Sequence, residues 1–420
     1  MARHIVVIGA GIVGACTALA LARQGYAVTI LDPGPPGGPH AASYGNGSWI
    51  SPASTVPMSM PGLWRKVPGF LMDGKGPLVI RWRHFPALAP WFLRFLRAGW
   101  SVEKVSRTVR VLSALLGDAP ERHLRIAADI GAPQLVVQNG LLYAYTDRED
   151  LARDGLAWRL RAGHGLVFEE VEGERLRSFA PALDARYTIG LFVPSGAHSP
   201  DTGAYVAAIV SHACRLGARF RQERAEQLLF EGERLDGVET DAGIVACDTV
   251  VVSAGIRSKP LAGMSGDRIP LVSERGYHVT IAGSAVAPAI PIMPCDGRMA
   301  NTAMVNGLRC SGQVELASVD APPDWRRADI LLEHALMTYP GLREGALKVS
   351  RWMGHRPSTP DGLPVIGRSS RSRDVVYAFG HGHMGLCAAP ATAELVAAIL
   401  DGKEDKLEIG AFSPKRFTAW

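Results

Sequence analysis

The first 32 residues constrain this chain more than any other stretch. Residues 4–8 (HIVVI) form the kind of short apolar run that becomes a buried strand. Residues 12–24 carry a helical pattern that Gly25 closes as a C-cap. Between them stands Gly9-Ala10-Gly11-Ile12-Val13-Gly14, a G-x-G-x-x-G turn, and a second strand, 27–31 (AVTIL), ends at Asp32. Glycine spacing alone is a weak signal. Set between a strand and a helix, with an acid about 20 residues on, it specifies a βαβ unit that holds a dinucleotide. Gly9 permits the tight turn, Gly11 lets the backbone approach a pyrophosphate, and Gly14 lets the helix pack on the strand. The helix start offers free N–H groups and a positive dipole end to the phosphates. Asp32 is placed to accept from a ribose hydroxyl. The unit by itself does not separate FAD from NAD.

The chain has 420 residues, more than one hydrophobic core usually spans, so two domains are expected. With 47% apolar and 20% charged residues it has the composition of a globular protein. No run approaches about 18 uncharged apolar residues, so no transmembrane helix is expected. The first strand begins at once and leaves no room for a signal peptide, which points to the cytoplasm. Cys16, Cys214, Cys247, Cys295, Cys310 and Cys387 form no CxxC pair and stand beside no histidine at metal-ligand spacing, so free thiols are expected and no metal. The basic character is local. Residues 81–125 hold nine Lys/Arg against three acids, +6 in a chain of +5, so the remainder is −1.

Strands and helices continue along the chain. PGPPGGPHAASYGNG after Asp32 is loop. A helix is expected over 203–216, a strand pair over 242–255, a β-rich region over 260–350 with a helix near 326–338, a strand over 374–380, and a helix over 389–400 opened by Pro390 in its first turn. The expected fold is α/β (α+β two-domain): a Rossmann-type FAD-binding domain from 1–55, 196–260 and 345–420, and a substrate-binding domain of mixed β-sheet plus helices from 56–195 and 261–344.

Four further stretches carry a resemblance. They are SYGNGSWISP (43–52), VVVSAG (250–255), SERGYHV (273–279), and GHRPSTPDGLPVIG (354–367) followed by YAFGHGHMGL (377–386). With the first loop they resemble the D-amino acid oxidase family of FAD enzymes, and most closely its D-amino acid and hydroxyproline-type dehydrogenase branch. The likeness runs nearly end to end and is weakest over 56–195. It implies FAD, held by the first loop, by Ser43, Asn46, Gly47 and Ser48, by Ala254 and Gly255, by Gly354, and by Gly380, His381, Gly382, His383, Met384, Gly385 and Leu386. It implies that Arg356 clamps a substrate carboxylate, as a planar guanidinium does bidentately, with Tyr277 and His355 beside it on the substrate side. A structural ion pair for Arg356 and a packed strand aromatic for Tyr277 are the alternatives. Some relatives tether FAD through a cysteine near the C-terminal signature, but Trp352–Gly367 has none. His40-Ala41-Ala42 is similar to a histidine tether, but SYGNG fits the dehydrogenase branch, so non-covalent FAD is expected.

The activity so implied is oxidative deamination of a D-amino acid or D-imino acid of the proline or hydroxyproline type. A hydride leaves the α-carbon for the flavin, and electrons pass to a quinone or other carrier. Residues 90–100 (PWFLRFLRAGW) read either as a substrate-domain helix packed aromatic side inward or as an interfacial helix resting on the inner face of a membrane. The rivals are a sarcosine- or glycine-type oxidase using oxygen, and a flavin-dependent tRNA-modifying enzyme suggested by the basic 81–125 segment. No nucleic-acid partner is expected, because a phosphate-tracking surface would be spread wider.

Overall fold

The computed structural model describes residues 3–65, 69, 76, 78–284, 286–344, 347–403 and 409–418. Strand β1 (His4–Ile8), helix α1 (Ile12–Arg23) and strand β2 (Ala27–Leu31) form the expected βαβ unit. β1 is central in a six-stranded sheet, ordered Val365–Arg368, Val375–Phe379, Thr249–Val252, β1, β2 and Arg219–Arg221. All its pairings are parallel except the antiparallel edge pair 365–368 with 375–379. Parallel strands must be joined by crossovers, which is why this sheet collects strands from distant parts of the chain.

A nine-stranded mixed sheet forms the second layer system. Its first three strands in space are β5 (Lys348–Ser358), β3 (Val272–Ala282) and β4 (Gly307–Leu316), all antiparallel. β5 comes from the stretch grouped with the FAD-binding segments at the sequence level, yet its hydrogen bonds are in the second sheet. The two sheets have separate cores, one around α1 and the first sheet and one around β3 and β4.

Helix α2 (Phe85–Ala98) covers the sequence read as either packed or interfacial. It buries Leu88, Trp91 and Phe92 against Ile80, Val272 and Leu316, and Trp91 Nε1 donates to the Ser358 carbonyl at 3.2 Å. Leu93 and Trp100 stay exposed, and Trp100 stacks on Trp64 with ring centroids 6.2 Å apart. Helices α3 (Ala119–Asp129), α4 (Thr202–Arg215) and α6 (Gly385–Leu400) pack with α1, and α5 (Arg326–Thr338) packs on β3 and β4.

One expectation about the last helix is corrected. α6 begins at Gly385, about one turn before the expected start, so Pro390 lies inside it. The segment Gly382–Leu400 is also long and apolar enough by composition to cross a membrane. In the fold most of its side chains are buried among α1, α3 and the first sheet, with Glu394 left at the surface, which is how a core helix comes to be this apolar.

Candidate active site

The turn between β1 and α1 is built as a cradle. Gly9 has φ +105°, open to glycine and strained for other residues. A Cβ at Gly14 would fall 1.8 Å from the Gly9 carbonyl oxygen and 2.7 Å from Ser253 Oγ, so this glycine sets the closeness of helix to strand. A Cβ at Gly11 would meet only Ser43 Oγ, at 3.4 Å, so the backbone there is open on one side. The Ile12 N–H donates to Ser43 Oγ at 2.9 Å, and Val13 is partly buried in the same first turn. Asp32 is fixed by three donors: the Ala10 N–H (2.7 Å), the Gly34 N–H (3.0 Å) and His40 Nε2 (2.7 Å). His40 is therefore a partner of the acid that ends β2. Ala254 and Gly255 follow the neighbouring strand, where Ser253 Oγ donates to the Ile8 carbonyl at 2.8 Å. An open glycine backbone, an uncapped helix start and an oriented acid are what a dinucleotide requires.

The second sheet grips the 43–48 loop. Arg309 Nη1, on β4, donates to the carbonyls of Tyr44 (3.0 Å) and Asn46 (3.3 Å). His278 Nδ1 bonds the Gly45 carbonyl at 2.9 Å, and Thr302 Oγ1 donates to that of Gly47 at 3.0 Å. Ser48 adopts φ +63°, and its N–H donates to Asn46 Oδ1 at 2.7 Å. Burial draws the Arg309 guanidinium down to about 10.

Arg356 lies on the sheet face that looks toward this loop. In β5 it pairs directly with Glu274 of β3, and Gly354 and Trp352 follow it on that face at every second residue. A Cβ at Gly276 would stand 2.4 Å from Arg356 Nη2, so the glycine is what lets the guanidinium lie across β3. Its Nη1 then reaches the Gln313 carbonyl at 2.8 Å and its Nη2 that of Gly312 at 3.3 Å. These bonds fix the plane of the fork and leave further N–H groups to bind an anion. Burial draws its proton affinity down, while the Glu274 charge opposes that shift. Glu274 is itself pushed up by burial, against the pull of Arg356. Gly354 leaves room for Trp352, whose ring stacks on His278 at 5.1 Å.

Tyr277 and His355 are not on this face. Side chains alternate along a strand, so the neighbour of Arg356 must point the other way. Tyr277 is fully buried under α5, donates from its hydroxyl to Glu315 at 2.5 Å and accepts from the Asp324 N–H at 3.0 Å. His355 Nδ1 bonds Ser273 Oγ at 2.7 Å. Both are thus removed from the group around Arg356. Glu274 pairs with Arg356, while His278, Arg309 and Trp352 share its sheet face farther along, against the 39–48 loop, and sequence reasoning passed over all four. A signal existed: once 273–279 and 352–358 are paired antiparallel, period-two alternation puts Glu274 and His278 with Arg356.

The start of α6 closes the site. Gly380 (φ +82°) and Gly382 (φ +53°) shape the approach, and Gly385 and Leu386 begin the helix, whose N-cap residue Met384 provides no side-chain acceptor. His381 is buried, its Nε2 2.9 Å from Thr392 Oγ1. His383 opens onto a cavity that is also lined by Glu274, Ser358, Thr359, Gly382 and Met384.

Several buried imidazoles have a depressed proton affinity: His123 and His278 are held at about 4 and His381 at about 3, each chiefly by burial. Such a ring binds fewer protons folded than unfolded between about pH 6.5 and its folded value. Its contribution is present above pH 6.5, is lost as pH falls through that window, and levels off below it. Each ring adds up to about 1.4 kcal/mol per pH unit. Thermal melts at pH 7.5, 6 and 5 should show falling stability, with a shallower slope in His381→Asn.

The DAO family model, described as an FAD dependent oxidoreductase, matches residues 4–399. A D-amino-acid oxidase of Bradyrhizobium diazoefficiens is 44% identical over 417 residues, covering 99% of both chains. A D-amino acid dehydrogenase of Paramagnetospirillum magneticum is 30% identical over 429 residues, again covering 99% of both. Among solved structures, the L-proline dehydrogenase from P. horikoshii has the same fold, with a TM-score of 0.74 at 20% identity, covering 100% of this chain and 98% of that one.

Proposed function

Because the chain belongs to the DAO family of FAD-dependent oxidoreductases, we propose that it oxidises D-amino acids or D-imino acids at the α-carbon. The observation that carries this reading is Arg356, a guanidinium held flat by the carbonyls of Gly312 and Gln313, on the sheet face turned toward the 43–48 loop. A planar fork fixed in this way binds a carboxylate bidentately and orients the α-carbon behind it. The Gly9–Gly14 turn would hold the FAD pyrophosphate and Asp32 the ribose, with Ser43–Ser48, Ala254–Gly255 and Gly380–Leu386 around the flavin end. When bound, FAD supplies the two-electron acceptor for the hydride. The chain's own part is to bind, orient and exclude water. The start of α6 presents a positive dipole end, which favours negative charge gathering near it. The amine must lose its ammonium proton before it can give up a hydride; the oxidised product of a primary amine then hydrolyses to a 2-oxo acid and ammonia, while a cyclic imino acid leaves a cyclic imine.

The electron acceptor in this reading is a quinone or carrier. The exposed Trp64–Trp100 stack and Leu93 support a peripheral contact with a membrane, where quinone resides. Oxygen is the second reading, favoured by the relative named an oxidase. Anaerobic bleaching of the flavin band by D-amino acids, D-proline and D-hydroxyproline, with sarcosine and L-amino acids inert, is the expected result. Bleaching by sarcosine or glycine alone would overturn it. Recolouring that is slow in air and fast with a soluble quinone marks a dehydrogenase, and the reverse an oxidase.

A further inference from the structure

Pro390 is the sixth residue of α6, and proline has no N–H to donate to the carbonyl four residues back. That carbonyl belongs to Leu386, in the first turn of the helix that borders the cavity. A buried carbonyl without a donor is costly, so a partner has to come from elsewhere. His123, from α3, provides it: its Nε2 lies 2.8 Å from the Leu386 oxygen. A carbonyl can only accept, so Nε2 carries the hydrogen. Nδ1 is then the acceptor, and the Tyr205 hydroxyl, from α4, stands 2.9 Å from it. The ring is fully buried and held neutral, as this arrangement requires.

The geometry points to His123 as a positioning residue for the flavin: its imidazole N–H replaces the helix hydrogen bond that Pro390 removes, and so fixes the Leu386–Cys387 peptide in the first turn of α6. That peptide carries the Cys387 N–H, in the first turn, where the helix itself supplies no carbonyl four residues back. Its orientation sets how the positive end of α6 is aimed into the cavity beside Gly382 and His383. The inference rests on the proposed placement of the flavin end at Gly380–Leu386. It adds that three helices, α3, α4 and α6, set the field there through one ring.

The test is the two-electron midpoint potential of the bound flavin, measured by reduction against a reference dye, with thermal melts alongside. His123→Leu keeps the bulk and loses the donor; it should make the flavin about tenfold harder to reduce, a shift of about 30 mV to more negative potential. His123→Gln retains an N–H donor and should stay near the parent value. Pro390→Ala combined with His123→Leu restores a main-chain donor to Leu386 and should return the potential to within about 10 mV of the parent. A lowered melting temperature with an unchanged potential in His123→Leu would make the role purely structural and overturn the inference. If His123→Leu does not fold, the double variant decides: a parental potential supports the inference, and a shifted one in a folded protein refutes it. FAD bound with normal potentials but no bleaching by any amino acid would sink the functional reading and leave this one standing.

Discussion

Arg356→Ala should lower kcat/KM for the best D-amino acid by two or more orders of magnitude. The loss corresponds to about 3 kcal/mol for a charge-assisted bidentate contact with a carboxylate. The effect should fall mainly on KM, because the contact forms when substrate binds. Arg356→Lys keeps the charge but not the fork and should recover only part of the loss. Removing the guanidinium also leaves Glu274, buried on the same face, without its compensating charge, and leaves the Gln313 carbonyl without its donor. Melting temperature must therefore be followed beside the kinetics. A folded variant with unchanged kcat/KM would mean that the carboxylate is held elsewhere.

Substitutions at the second and third glycines of the loop should separate folding from cofactor binding. Gly14→Ala puts a methyl 1.8 Å from the Gly9 carbonyl oxygen, a backbone atom that cannot step aside without parting α1 from β1. We expect a protein destabilised by at least about 3 kcal/mol and purified without flavin. Gly11→Ala is different. Its backbone is at φ −66°, which any residue adopts, and its methyl would meet nothing closer than Ser43 Oγ at 3.4 Å. The apoprotein should melt within a few degrees of the parent, yet bind FAD about a hundredfold more weakly, roughly 2.7 kcal/mol, because the methyl stands where the pyrophosphate must approach. Isothermal titration of the apoproteins with FAD, beside thermal melts, reads both quantities. Equal FAD affinity in Gly11→Ala would show that the pyrophosphate does not lie against this turn.

How much could be read without the fold differs from one region to the next. The βαβ unit was fully legible, since its signals are local: a strand, three glycines at fixed offsets, a helix and an acid. Helices 202–215 and 326–338 and strands 249–252 and 375–379 were legible for the same reason, within a residue or two. Pro390 was misread as a helix opener. Its tolerance deep in α6 depends on a donor from His123, 267 residues earlier in the chain. The substrate side was legible only at Arg356.

The sequence by itself determined the βαβ unit at the N-terminus, because its signals are written in residues 4–32 and depend on nothing further away. It also marked Arg356, through the resemblance of its C-terminal motif, as the arginine for which a carboxylate role is proposed. Only the tertiary structure decided which neighbours share its face. Tyr277 and His355 lie beside the right residues in sequence but on the wrong side of the sheet, while Glu274, His278, Arg309 and Trp352 come to the site through strand register. Register is a pairing between segments about 80 residues apart, and a shift of one residue turns every side chain to the other face.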